Sequence, residues 1–570
     1  MYILGIHTGH DAAACLYKGQ DLIAFCKEER VTRIKCDGNK FDLLSIDEVL
    51  KIGNITRSDV DVVCMSRILI PDSCYLKPQK FSKQLSQKLR GTQKKRWVVK
   101  EMSSHKELDA SKLVNFPLLR QKMGLKNDAE IIFSNHHLAH ILGAFKYTDW
   151  QDSALFLSCD GGGDGAQYSA YYYDGKTLNT LVGGDATVLT SPQNLGASVG
   201  YAYSHVTQMC GFKPLRHEGK ITGLAAFGKP SKAQMLIDQF QINEDGSITS
   251  SLDGSKGMRN FLDDEFGSLS MEDKAASIQL ATEEVITKWV KQLVSITGSK
   301  YVGLSGGVFS NVKLNQYVSE IEGVEEIFVF PAMGDEGLPV GQCVDFLIRK
   351  EGLENLKRGR LNNAYYGFDY SAGDLVVAAE QGGFSIDKPS NVAKAAATLI
   401  AKGKAGAIFH GAMEMGPRAL GARSIIASPE QRDINDSLNA RLERTEFMPF
   451  APFVLHEDAS EVFEVDGRTL EACKFMTVTA NVREKYREAI PAVVHVDGTA
   501  RPQTVFKEAT PLYYDILSNF KEMTGMPCLV NTSFNAHEEP IINTPEEALC
   551  ALGDDRVDFL VCDEALIFKA

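Results

Sequence analysis

Asn135-His136-His137-Leu138-Ala139-His140 sets two histidines four residues apart, and Asp160-Gly161-Gly162-Gly163-Asp164-Gly165 follows twenty residues after His140. On a helix, His136 and His140 project from one face, one turn apart, and can share a metal ion, while His137 points elsewhere. Asp160 adds a carboxylate, and Asp335, in the segment Met333-Gly334-Asp335-Glu336-Gly337, is a candidate second one. Two imidazoles with carboxylates leave coordination positions open for substrate oxygens and suit Fe(II), Mn(II) or Zn(II). No glutamate stands between the histidines, so the HExxH arrangement of a metalloprotease is absent.

Glycine loops give the metal something to face. Gly306-Gly307 lets the backbone approach a phosphate or adenosine, and Asn311 can open the next helix. His217-Glu218-Gly219-Lys220-Ile221-Thr222-Gly223 sets Lys220 between glycines as a point charge for phosphate. With the Asp160 loop these point to nucleotide binding. In His7-Thr8-Gly9-His10-Asp11 a neutral His10 could take a proton from an acceptor hydroxyl; a capping or turn role for His10-Asp11 is the alternative. Further on, Arg418 and Arg423 flank Ala419-Leu420-Gly421-Ala422, Arg441 and Arg444 follow, then Arg501-Pro502-Gln503-Thr504 and Asn531-Thr532-Ser533-Phe534-Asn535. Arginine grips planar oxyanions bidentately, so a converging set reads as phosphate or carboxylate recognition, with Arg418 the strongest member.

The elements that must position these residues alternate. Tyr2 to Glu29 reads as strand, polar Gly loop, strand, Lys18-Gly19 turn, strand. Ala154 to Val182 repeats the layout with the Asp160 loop and an Asp174-Gly175 turn, which predicts a duplicated α/β unit with two phosphate-facing loops about a cleft. Helical spacing over Ala275 to Ser295 precedes the strand Tyr301 to Leu304, and Glu326 to Phe330 runs as another strand into Asp335. Strand, glycine loop and helix in alternation mark α/β architecture with ligands at the strands' C-terminal ends. The pattern loosens around Leu353 to Tyr370, which marks a boundary; helix Val392 to Ala401 and strand Ala405 to Phe409 open a second α/β region. Between these two segments, Lys77 to Lys106 is basic and reads as a solvated helix or mobile insert, with docking of an acidic acceptor or partner the alternative.

The bulk properties narrow the class. A chain of 570 residues needs roughly two to four domains. Its 44% apolar content fits an ordinary globular protein, and the net charge of −13 argues against general affinity for nucleic acid or anionic membrane. The twelve cysteines form no CxxC, and several lie in apolar runs, as reduced core residues of a cytoplasmic protein do. The N-terminus lacks signal-peptide character, and no apolar run approaches the ~18 residues of a membrane span.

These motifs, in this order, resemble the O-carbamoyltransferases of antibiotic and nodulation-factor biosynthesis (the NodU/CmcH family) over nearly the whole chain. The resemblance rests on His10-Asp11, Glu28-Glu29-Arg30-Val31-Thr32-Arg33, His136 to His140, Asp160-Gly161, Gly219-Lys220 to Ala225, Gly306-Gly307-Val308, Gly416-Pro417-Arg418-Ala419-Leu420-Gly421, Arg501 to Thr504 and Asn531 to Asn535. It implies an actin/sugar-kinase-like ATPase domain, placed at 1–355 with the acceptor site, and a YrdC-like domain for carbamoyl phosphate, placed at 356–570. It implies that ATP and carbamoyl phosphate form a carbamoyl-adenylate whose carbamoyl group passes to an alcohol. By position, His136, His140, Asp160 and Asp335 would hold the metal, iron(II) or else magnesium. Lys220, Gly306, Gly307 and Asn311 would line the nucleotide. Arg418, Arg501, Asn531 and Ser533 would belong to the carbamoyl-phosphate site, and His10 would fall at the acceptor-site base, beside Asp11. The expected acceptor is a small molecule or saccharide with a free hydroxyl, as in antibiotic or glycan biosynthesis; a homodimer is left open. Carbamoylation of a protein or tRNA, and an actin-like assembly protein without transfer chemistry, are the alternatives. One stretch departs from the family pattern: Met448 stands where an arginine would be and no lysine precedes it, so Arg441 and Arg444 are both candidates for the missing charge.

Overall fold

The fold is taken from a computed structural model that describes residues 1–66, 70–76, 114–183, 195–444 and 448–570. The basic stretch Lys77 to Lys106 lies outside the described residues. Strands β1 (Tyr2–His7), β2 (Ala13–Lys18), β3 (Asp21–Lys27), β4 (Val62–Met65) and β5 (Glu130–Phe133) form a sheet in the order β3-β2-β1-β4-β5. The first three are antiparallel neighbours, and β4 and β5 lie parallel to β1. A second sheet holds β6 (Ala154–Gly163), β7 (Ala166–Tyr173), β8 (Leu178–Val182), β11 (Tyr301–Ser305) and β12 (Glu326–Val329), in the order β12-β11-β6-β7-β8; β9 (Phe240–Ile242) and β10 (Ile248–Ser250) form a separate hairpin. Here too an antiparallel trio is extended by two parallel strands on the far side of its first member. The shared strand order is the duplication that the two meander layouts predict.

One expectation changes. The acidic glycine segment is strand as far as Gly163, and the turn shrinks to Asp164-Gly165, both with positive φ (48° and 82°). A two-residue Asp-Gly hairpin of this kind matches the twist of the flanking strands, so the strand continues through Asp160 to Gly163, where the loop was expected to begin.

Two helices, His136–Lys146 and Leu338–Glu351, pack between the sheets through Leu138, Ile141, Leu142 and Phe145 against Val340, Val344 and Leu347, all buried. The helix predicted over Ala275 to Ser295 runs from Met271 to Thr297 and buries Trp289, Val290 and Leu293. No helix among the described residues is long and apolar enough to cross a membrane.

Beyond residue 364 a further α/β unit follows. Strands β13 (Tyr365–Tyr370) and β16 (Gly411–Glu414) pair, and β19 (Ala480–Asn481) pairs with β20 (Thr499–Ala500). The large sheet has eight strands: β14 (Ser385–Asp387), β15 (Gly406–Phe409), β17 (Arg423–Ala427), β18 (Ala451–Leu455), β21 (Gln503–Val505), β22 (Cys528–Ser533), β23 (Phe559–Val561) and β24 (Leu566–Phe568), in the order β14-β24-β23-β15-β17-β22-β18-β21. Helices Val392–Ala401 and Pro511–Thr524 cover one face through Ala396, Ile400, Ile516 and Phe520. On the other side one apolar cluster runs unbroken from Leu155, Val302 and Ile327 of the second sheet to Ile425, Val454 and Val530. The two regions are therefore joined by a continuous core.

Candidate active site

The ends of β5, β6 and β12 bring four sequence-predicted residues to one point. Asn135 accepts the Leu138 amide (3.0 Å) as the N-cap of the His136 helix, and the His136 amide donates to Asp164 Oδ2 (2.7 Å), so helix start and hairpin turn are pinned together. His136 Nε2 lies 3.2 Å from His140 Nε2, 3.2 Å from Asp160 Oδ2 and 3.5 Å from Asp335 Oδ1. His140 Nε2 lies 3.5 Å from Asp335 Oδ1 and 4.0 Å from Asp160 Oδ2. Donors at about 2.0–2.2 Å from one tetrahedral ion stand about 3.3–3.6 Å from each other, so this set has the edge lengths a first-row dication needs. Burial acts to raise the carboxyls of Asp160 and Asp335, but the facing histidines reverse it and hold both below the usual range.

His137 has turned away. Its Nε2–H donates to the Ala166 carbonyl (2.9 Å), which leaves Nδ1 to accept from Ser158 Oγ (2.8 Å); burial first, then its histidine neighbours, lower its pKa to about 3. His7 is a neighbour that sequence reasoning missed: Nε2 is 3.4 Å from Asp335 Oδ2. The available signal was position, since His7 ends β1 as the Asp160 segment ends β6 in the duplicated layout.

The nucleotide candidates divide. A Cβ on Gly307 would stand 2.9 Å from Asp160 Oδ1, so this loop lies directly against the cluster. Asn311 caps the helix Val312–Ser319 through Leu314 N (3.2 Å) and exchanges amide hydrogen bonds with Gln279 (2.9 and 3.2 Å). Lys220 is not in a glycine loop: Glu218–Leu224 is helical, and Lys220 is buried with Nζ over the Phe212 ring. Gly223 there serves close packing, since a Cβ on it would meet Met448 Cγ at 2.4 Å, whereas a Cβ on Gly219 would meet nothing within 4 Å.

His10 and Asp11 face different partners. His10 Nε2 donates to the Leu215 carbonyl (3.1 Å), while Asp11 takes Lys27 Nζ (3.1 Å to Oδ2). Lys27 also lies 3.5 Å from buried Glu29, and these two acids outweigh burial to raise its pKa. Glu336, next to Asp335, is 2% exposed; burial, opposed by Lys27 and reinforced by Asp11, pushes it up to about 8.

In the C-terminal region, Asn531 Nδ2 donates to the Ala419 carbonyl (3.1 Å) and to Gln503 Oε1 (2.7 Å), and Gln503 Nε2 donates to the Leu420 carbonyl (2.6 Å). The segments carrying Arg418 and Arg501 are thereby tied to β22. Arg444 donates to Thr532 Oγ1 (2.8 Å), Ser533 Oγ (3.1 Å) and the Asn535 carbonyl (2.6 Å). Arg441 instead pairs with Asp558 (3.3 Å) and the Asp555 carbonyl (2.8 Å). Of the two alternatives for the missing charge, only Arg444 reaches the Asn531–Asn535 segment. Arg423 is fully buried over the Phe409 ring and donates to the His410, Gly411 and Ala422 carbonyls, which makes it a brace of the arginine loop.

The two regions meet at this site. The Gly416 carbonyl accepts from Arg30 Nη2 (3.1 Å), and Gly416, at φ 82°, packs so closely on Pro331 that a Cβ would stand 2.4 Å from its carbonyl oxygen. Arg33 donates to the Pro540 and Ile541 carbonyls (2.9 and 2.8 Å) and pairs with Glu547 (3.0 Å). The loop bearing Arg418 thus abuts the loop bearing Asp335.

The family model for the carbamoyltransferase N-terminus matches residues 2–344, and that for the carbamoyltransferase C-terminus matches 397–569. The nodulation protein NolNO of Sinorhizobium fredii is 33% identical over 98% of this chain and 79% of its own. The nodulation protein NolO of Bradyrhizobium diazoefficiens is 33% identical over 76% of this chain and 79% of its own. Among solved structures, the ROK hexokinase of Thermus thermophilus is 12% identical and covers 62% of this chain and 100% of its own, with a TM-score of 0.32.

Proposed function

The chain belongs to the carbamoyltransferase family, and from that premise we propose an ATP-dependent O-carbamoyltransferase that works in two steps. Water cleaves carbamoyl phosphate to carbamate and phosphate. A carbamate oxygen then attacks the α-phosphorus of ATP, and pyrophosphate leaves. In the second step an acceptor hydroxyl adds to the carbamoyl carbon of the adenylate, its proton passes to His10, and the bond to AMP breaks.

Residues 1–355 take the nucleotide and acceptor, and residues 356–570 take carbamoyl phosphate. Arg418, Arg444, Arg501, Asn531 and Ser533 neutralise and orient the phosphate and carbamoyl groups. Gly306, Gly307 and Asn311 line the nucleotide, and Lys220 borders it. His136, His140, Asp160 and Asp335 would hold a divalent ion, iron(II) by the family resemblance, which would supply positive charge against the nucleotide's phosphates. Asp11, with Lys27, forms the charged wall beside His10. The acceptor is a small molecule or saccharide with a free hydroxyl.

The observation that supports this reading is the contact of Gly416 with Pro331, which sets the loop bearing Arg418 against the loop bearing Asp335. A carbamoyl-adenylate is an activated anhydride, and making it where it is used shields it from water. The test is pyrophosphate release from ATP and carbamoyl phosphate without acceptor, followed by a polyol screen for carbamate products. Pyrophosphate that requires carbamoyl phosphate is expected; none at all would overturn the mechanism.

A further inference from the structure

The turn Lys213 to His217 joins the helices Val199–Met209 and Glu218–Leu224, yet its anchor is Glu538, in the other region of the chain. Glu538 Oε2 takes Lys213 Nζ (2.5 Å) and Arg216 Nη1 (3.4 Å), and Oε1 takes His217 Nε2 (2.5 Å). His217 Nδ1 accepts the Lys213 amide (3.2 Å), so the ring is the tautomer with its proton on Nε2. Arg216 Nη2 also donates to the Lys35 carbonyl (2.6 Å). At the crest Leu215 takes φ 64°, a left-handed conformation its side chain disfavours, and that side chain is 57% exposed. Packing does not hold it there. The Leu215 amide is fixed by Glu218 Oε1 (2.6 Å), and its carbonyl is thereby aimed at His10 Nε2 (3.1 Å).

A carbonyl can only accept, so His10 Nε2 must carry the proton and Nδ1 is left with the lone pair. We propose that Glu538 is a positioning residue for the transfer step: by latching the 213–217 turn it sets the tautomer and orientation of His10, leaving Nδ1 to take the acceptor's proton. A carboxylate of the carbamoyl-phosphate region then orients the base of the acceptor site, so the base is aligned only while the two regions are engaged. The inference rests on the reading of His10 as the base.

The test uses the full chain with ATP, radiolabelled carbamoyl phosphate and glycerol as the acceptor hydroxyl. Pyrophosphate reports the first step, and AMP release, with water as the background nucleophile, reports the second. Glu538→Ala is expected to lower AMP release on the order of 10- to 100-fold, as a small misplacement of a catalytic group does, with pyrophosphate release in the first turnover unchanged. Glu538→Gln, which keeps an acceptor for His217, should retain part of the rate. In a His10→Ala background Glu538→Ala should cost nothing more. Equal loss in both steps, or a further loss in the double variant, would make Glu538 a structural interface residue and overturn the proposal. Wild-type AMP release by Glu538→Ala beside an impaired His10→Ala would overturn the latch alone. Wild-type release by His10→Ala would remove the base reading itself.

Discussion

Gly163→Ala tests the four-residue cluster without deleting any member of it. A methyl at residue 163 would stand 2.2 Å from His136 Cδ2 and 2.3 Å from Cγ. Carbon atoms settle at about 3.5 Å or more, so the ring must retreat by more than about 1 Å. His136 is fully buried, and its backbone amide is tied to Asp164, which leaves the imidazole little room to move as a unit. A metal bond tolerates about 0.2 Å of error, so the variant should lose one of four donors. Because loss of a group that merely hydrogen-bonds a metal ligand costs about 10–100-fold in metal affinity, a loss of at least about 100-fold is expected, against about 1–3 kcal/mol of overpacking in stability. Gly161→Ala is the control, since a Cβ there meets nothing within 4 Å. The assay is metal content after dialysis, with chelator competition for iron(II) and manganese(II), beside thermal unfolding of each variant. Wild-type affinity in a folded Gly163→Ala protein would refute the claim that His136 Nε2 holds the ion.

Arg444→Ala should lower carbamoyl-phosphate-dependent pyrophosphate release about 10²–10³-fold, as loss of one oxyanion donor does; Arg441→Ala, whose guanidinium pairs with Asp558, should change it by less than about threefold. Steady-state pyrophosphate assays separate the two. Burial raises the Glu283 carboxyl to about 7, opposed by its hydrogen bond from Gln279 and by Lys313. Unfolded glutamate releases its proton near about 4.3, so between there and about 7 the folded state binds more protons and stability falls as pH rises. Glu283→Gln removes that slope and should raise the unfolding temperature more at pH 8 than at pH 5; an equal gain at both would contradict the assignment.

What could be read from residue order was mostly local. Two meanders with glycine turns, the helix at Val392–Ala401 and the four-residue histidine spacing each depend on neighbours within a turn or a hairpin, and all are present. The glycine run after Asp160 misled about where the loop begins, because Asp164-Gly165 alone makes the turn and Gly161 to Gly163 remain strand. The glycines around Lys220 misled for a related reason: glycines spaced four apart are accommodated in a helix as readily as in a loop. Arg423 and Arg444 look alike in sequence, and only the fold shows one buried among carbonyls and the other facing Ser533. Glu28 to Arg33 could be recognised as a motif but not understood, because its partners Gly416, Pro540 and Ile541 lie more than 380 residues away.

The four-residue cluster draws two side chains from each half of the duplicated fold: His136 and His140 follow the last strand of the first sheet, Asp160 lies near the end of a strand of the second, and Asp335 follows another. An ion held this way would be a rivet across a jaw. Its coordination would then depend on the spacing of the two halves, so a paramagnetic or coloured ion in that position would report any change in that spacing from a spectrum rather than from turnover.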